Sequence, residues 1–285
     1  MTIEFLNVWY FFYMLAAGGL IFGLYRVLRH RSAEVKSAVV LLLVLLNLGI
    51  HFAKLLIPPY STNPDIAMRE VWFINVCAVS VLFFPAFFLS KNKVLRDFMF
   101  YLGTLSGVLA LLIPTEAMGK PPFAPDSIRF YLCHTLILAA PLLMVLLGVH
   151  RLNYRRIGGM PFVMMGYLLF IIVNQVLQSE LGIVSLRGDD LLAVGYKNPS
   201  FIWGPTDEMA ALFSIFTPDF MKTVPWGPMA GQEKYWPFFW MLPAVVVYFL
   251  ALPALMCLPW EYAHIKADLT TLVGKLKRTA KGVFS

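Results

Sequence analysis

Charge is scarce in this sequence. Only 14% of its 285 residues are Asp, Glu, Lys or Arg, against roughly 25% in a water-soluble globular protein, so the chain lacks the means to coat a soluble domain. Cysteine is scarcer still. Cys77, Cys133 and Cys257 all fall inside apolar stretches, which leaves no disulfide framework. No Cys-x-x-Cys or His-x-x-x-His spacing supports a metal site made of His51, His134 and Cys77, and no metal or cofactor is expected. The Asn-x-Ser/Thr triplet at Asn198 is blocked by Pro199, which fits a bacterial protein. No Lys or Arg precedes the first apolar run, so a cleavable signal peptide is not expected. Internal repeats are absent as well.

What remains is apolar. Hydrophobic residues make up 59% of the chain and aromatics 15%. Continuous runs such as AVVLLLVLLNLGI have no period-two alternation, so they read as membrane-spanning helices and not as barrel strands. The expected fold is all-α: a polytopic bundle of seven transmembrane helices near residues 5–28, 37–57, 71–90, 97–115, 128–150, 160–181 and 235–258. Charge then sets direction. One set of connections carries fifteen Lys or Arg against four acids, and the other seven against twelve, with Lys54 inside a span. The positive-inside rule places the N-terminus outside and the C-terminus in the cytoplasm. The expected localisation is the bacterial cytoplasmic (inner) membrane. The net charge of +7 is topological, its basic residues scattered over four segments, so nucleic acid is not an expected partner.

Residues 1–258 form the membrane domain in this reading, and 182–234 are a long outer connection. Its stretch DEMAALFSIFTPDFM has a helical stripe (Met209, Leu212, Phe213, Phe216) that lies on the membrane surface or folds over the bundle. Pro237, Pro243 and Pro253 should kink the last span. Residues 259–285 form a basic amphipathic tail, with Ile265, Leu269, Leu272, Leu276 and Val283 at helical spacing. It is expected to lie on the anionic cytoplasmic leaflet.

Polar groups inside a span are expensive and point to function. Asn47, His51 and Lys54 recur at i, i+4 and i+7, on one face of the second span. At 1.5 Å per residue, Cys77 and His134 both lie roughly 9 Å below the outer boundary. His51, Asn174, Gln175 and Gln178 fall near the same depth, with Asn75 and Arg129 close by. Duller readings stand beside each: a thiol in an apolar helix often packs as a small hydrophobe, and Lys54 serves equally as an anchor or as an ion-pair partner of Glu116 or Asp126.

The run NVCAVSVLFFPAFFLSKNKVLRDFMFYLGTLSGVLALLIPTEAMG, followed by IRFYLCHTLILAAPLLMVLLG, resembles the YwaF-like family of integral membrane proteins over about residues 70 to 150. The pattern departs at Asn75, Thr115 and Thr135, where the family often has His, an acid and Gly. A vertebrate relative in that family is a transmembrane acyltransferase that remodels ether phospholipids. The resemblance implies a Cys-His pair, Cys77 and His134, as catalytic residues of a lipid acyltransferase or hydrolase near the outer leaflet. Asn47, His51, Lys54, Asn75, Arg129, Asn174 and Gln178 are the candidate substrate-binding residues, with membrane lipids as partners. The alternative is a non-catalytic membrane subunit or lipid-binding scaffold that recruits a protein partner through residues 182–234 or the C-terminal tail.

Overall fold

The computed structural model describes residues 1–64, 67, 71–182, 200–205, 208–228 and 230–283, with side chains omitted at 208–210 and beyond 273. It is all-helical, with no β-strand among the described residues. Helix α1 spans Val8–Leu28 and is capped by Asn7, whose side-chain oxygen accepts from the Trp9 and Tyr10 N–H groups. Helix α2 (Ala33–Ala53), capped by Ser32, runs into a 3-10 turn at Lys54–Leu56. Helices α3 (Val76–Leu89), α4 (Lys93–Leu112) and α5 (Pro125–Leu146) follow, the first two capped by Asn75 and Asn92 and the third carrying Pro125 in its first turn. Helix α6 covers Met160–Glu180, α7 is the short Glu208–Ser214, and α8 runs from Leu242 to Val283.

Six of these helices, α1, α2, α4, α5, α6 and α8, are long and apolar enough to cross a membrane. The third expected span, 71–90, is shorter than the sequence implied: helix begins only at Val76 and covers 14 residues. The cause lies in another helix. Asn174 of α6 donates its amide to the Phe73 carbonyl at 2.9 Å and accepts from the Trp72 indole at 2.6 Å, so residues 72–73 find partners outside a helix.

Helix α5 is the axis of the bundle. It packs most extensively on α4 and α2 and also touches α1 and α3, and 15 of its 22 residues are buried, against four of 21 in α1. The α4 contact depends on the sequence Gly103-Thr-Leu-Ser-Gly107. A Cβ on Gly103 would stand 2.7 Å from the Pro141 ring, and one on Gly107 2.7 Å from the Leu138 Cβ. Two missing side chains let the backbones of α4 and α5 approach closely.

The connections gather at two ends. At one end the N-terminal residues pair with the loop after α4: Ile3 N–H donates to Lys120 O, and Gly119 N–H to Ile3 O, both at 2.9 Å. The Tyr13 hydroxyl reaches Pro122 O, and its ring stacks on Tyr131 at 3.9 Å. At the opposite, basic end, α5 stops at Gly148, which takes a φ of 72° that favours glycine. His150 then donates from Nε2 to buried Asp97 (2.6 Å), and Arg156 grips the same carboxylate at 2.5 and 2.9 Å.

Near the C-terminus the last span and the tail share one helix: α8 is continuous for 42 residues, with Pro253 and Pro259 inside it. At 1.5 Å per residue that is about 63 Å, roughly twice the hydrocarbon thickness. Ile265 packs on the bundle, whereas Leu269 and Leu272 are exposed; the side chains of Leu276 and Val283 lie outside the described residues. In the outer connection α7 folds over the bundle, with the Tyr248 hydroxyl of α8 bonded to Leu212 O and its ring against Phe213 and Phe216 at 5.5 Å. Residues 183–199 of that connection lie outside the described residues, as does the Met209 side chain.

Candidate functional site

Cys77 occupies the second position of α3, at a helix mouth and not in mid-helix. Asn75 Oδ1 accepts from Ala78 N–H at 2.8 Å and Asn75 O from Val79 N–H at 3.0 Å. The N–H groups of Val76 and Cys77 have no such partner among the described residues, and they point along the positive end of the helix dipole. Cys77 is half-buried against the main core. Above it, Ser200 donates to Ile74 O at 3.3 Å, and Ile202, Trp203 and Trp240 are buried in the same core cluster. The Trp240 indole holds Phe201 O and Ile202 O at 2.9 and 3.1 Å. Residues 200–203, in the connection between α6 and α8, are therefore packed into the bundle, over the mouth of α3.

His134 stands on the neighbouring helix α5. Its Nδ1 lies 2.8 Å from Phe130 O, and because a carbonyl only accepts, Nδ1 carries the proton. In the neutral ring this leaves the Nε2 lone pair uncommitted. The Phe130 ring lies against the imidazole at 4.3 Å and limits its rotation. Helices α3 and α5 touch, and the Glu116 carboxylate is close enough to act electrostatically on both the Cys77 thiol and the His134 ring.

Beside His134 a charged cluster is built around Tyr60. The Lys54 ammonium lies 5.4 Å from the Tyr60 ring centre and the Arg129 guanidinium 5.5 Å. Arg129 grips Asp126 through two nitrogens at 2.7 and 3.0 Å, Lys120 meets the other Asp126 oxygen at 2.5 Å, and Arg129 also donates to the Tyr60 hydroxyl at 3.3 Å. Among the described residues, the cations Lys54, Lys120 and Arg129 thus gather around Tyr60 and Asp126, with Asp126 bonded to Lys120 and Arg129. Lys54 is buried although it sits in a 3-10 turn at the end of α2. Its charge and that of Arg129 both reach His51, whose Nε2 donates to Val71 O at 2.7 Å and whose ring stacks on Phe73 at 5.1 Å. Cys133, one turn along α5, has its thiol beside Arg129.

The remaining candidates sit apart from this cluster. Asn75 caps α3, and Asn174 braces residues 72–73. Gln175 accepts from the Trp203 indole at 2.8 Å. Asn47 Oδ1 and both polar atoms of Gln178 are buried with no hydrogen-bond partner among the described residues, which marks them as places a polar ligand atom would satisfy.

Tyr60 and Lys120 are the residues missed by sequence reasoning about the site. Asp126, weighed there as an ion-pair partner of Lys54, is bonded to Lys120 and to Arg129 three residues on, on its own helix face. Tyr60 and Lys120 lie in irregular connections, where no periodicity locates a side chain.

No curated protein and no solved structure matches the chain. A family model does: the one described as the TMEM164 family matches residues 4–252. A membrane family whose match covers nearly the whole chain agrees with six spanning-length helices and with polar groups held among them. The chain belongs to the TMEM164 family of transmembrane proteins.

Proposed function

We propose that this protein moves an acyl chain between membrane lipids through Cys77 and His134. What supports the reading is that a thiol stands at the mouth of α3 and that α5, which touches α3, carries an imidazole whose Nδ1 proton is held by Phe130 O, leaving Nε2 as a base. In the first step His134 Nε2 takes the thiol proton as Sγ attacks the ester carbonyl of a donor lipid. The N–H groups of Val76 and Cys77 stabilise the oxyanion, an arrangement worth several kcal/mol in a dry site. The intermediate collapses to a thioester, and the departing lysolipid oxygen takes the proton back from His134. A lysolipid hydroxyl, deprotonated by the same nitrogen, then attacks the thioester and restores the thiol; water in its place gives hydrolysis. Lys54 and Arg129 hold the lipid phosphate, and Gln178 and Asn47 take further polar atoms of the headgroup.

This reading keeps the YwaF-like resemblance. It also treats α3 with its extended approach as a seventh crossing, with the N-terminus outside, the basic end in the cytoplasm and a bacterial cytoplasmic membrane as host. The test is acyl exchange between labelled donor and lysolipid by the purified protein in liposomes. Cys77→Ala and His134→Ala should each abolish exchange and thioester formation. Full activity in both variants rejects the proposal and leaves the scaffold reading, in which the outer connection or the tail recruits a protein partner.

A further inference from the structure

A second site stands at the basic end, away from Cys77 and His134. A cavity of about 670 Å³ opens between the turn before α4, the 148–156 segment after α5, and the far half of α8, within the size range of small-molecule sites. Its charges are not balanced. Arg155 is tied to Asp268 at 2.5 Å, Arg156 to buried Asp97, and Glu261 to His264 at 3.3 Å. Lys91, Lys93, Arg96 and Arg151 also line the cavity, and among the described residues no carboxylate lies within ion-pair distance of any of them.

The walls are held in place. Arg156 binds Asp97 with one edge of its guanidinium and donates to Arg151 O at 2.7 Å, which fixes the turn carrying Arg151. The Arg96 guanidinium lies 5.8 Å from the Phe88 ring centre, and its Nε–H is shielded from solvent without a hydrogen-bond partner. Lys93 and Arg96 stand in the first turn of α4, where the helix dipole adds positive potential. Basic residues that only mark a membrane face are expected on open, solvated surface. Here four of them line one concavity, three exposed at its rim and Arg96 set deeper, with an Nε–H that has no hydrogen-bond partner among the described residues.

We propose that this cavity binds a phosphate group, carried by an anionic lipid headgroup or by a soluble phosphate ester, between Lys91, Lys93, Arg96 and Arg151. A tetrahedral anion offers enough oxygens to meet both guanidinium forks and the two ammonium groups, which a single carboxylate does not.

The test uses the full chain in maltoside micelles, with dihexanoyl phosphatidic acid and inorganic phosphate as probes and calorimetry as readout. Lys93 and Arg151 are exposed, so the pair Lys93→Gln and Arg151→Gln leaves the fold in place; Arg26→Gln with Arg29→Gln removes two charges at the same end but outside the cavity. Saturable binding of phosphatidic acid should weaken about tenfold in the first pair and stay unchanged in the second. Competition by inorganic phosphate assigns the site to soluble phosphate, and its absence to the lipid headgroup. Equal losses in both pairs, unchanged affinity in the first pair, or no saturable binding of either probe overturns the proposal. Phosphatidic acid held by Lys54 and Arg129 binds equally in both pairs, so only the difference between the pairs reports on the cavity, and it does so whether or not acyl exchange occurs.

Discussion

Asn75 decides whether Cys77 has a helix mouth to sit in. Its side chain satisfies Ala78 N–H, so Asn75→Ala should cost about 1 kcal/mol of stability, the usual worth of an N-cap. Under the acyl-transfer reading it should also lower exchange by loosening the turn that aims the thiol, and Asn75→Ser should restore both. Comparison of thermal midpoints and exchange rates across the three proteins checks this. Gln178 makes the opposite case. Both of its polar atoms are buried and have no partner among the described residues, a cost that an apolar side chain of similar size removes. Gln178→Leu should therefore raise the thermal midpoint of the lipid-free protein. If Gln178 receives a headgroup, the same change should weaken lipid binding; unchanged binding would remove it from the site.

At the scale of elements, the α4–α5 seam depends on two absent side chains. Gly107→Ala places a methyl 2.7 Å from the Leu138 Cβ and 3.0 Å from its backbone, and overpacking of this kind costs about 1–3 kcal/mol. Gly166→Ala on α6, which meets nothing within 4 Å, should be neutral or slightly stabilising. Denaturation of the two variants side by side measures the difference, and equal midpoints would show that the seam is not close-packed. These helices were legible in the sequence as apolar runs of spanning length. The length of α3 was not, because the groups that end it, Asn174 with Trp72 and Phe73, are about a hundred residues apart and meet only after folding.

At the scale of the whole molecule, buried Asp97 joins α4 to the turn after α5 through His150 and Arg156. Asp97→Asn removes a buried charge and leaves Arg156 without its counter-ion, a loss of about 3–5 kcal/mol by precedent for buried pairs. The expected result is a lower unfolding midpoint and a disturbed 148–156 turn, read as faster proteolysis there. Retention of wild-type stability would show that water replaces the carboxylate. The sequence counts Asp97 as one acid on a basic face, and nothing local reveals that it is fully buried.

Composition and the spacing of apolar runs were enough to establish a helical membrane protein, because lipid admits no other way to satisfy the backbone of such runs. They also singled out His51 and Lys54 as polar groups inside a span, and Arg129 at a helix end. Only the folded chain decided that Lys54, Tyr60, Lys120, Asp126 and Arg129 share one cluster, that Cys77 opens a helix, and that four cations with no carboxylate partner among the described residues line a cavity at the basic end. Those facts rest on contacts between distant segments, and such contacts arise from packing and charge pairing that no local pattern encodes.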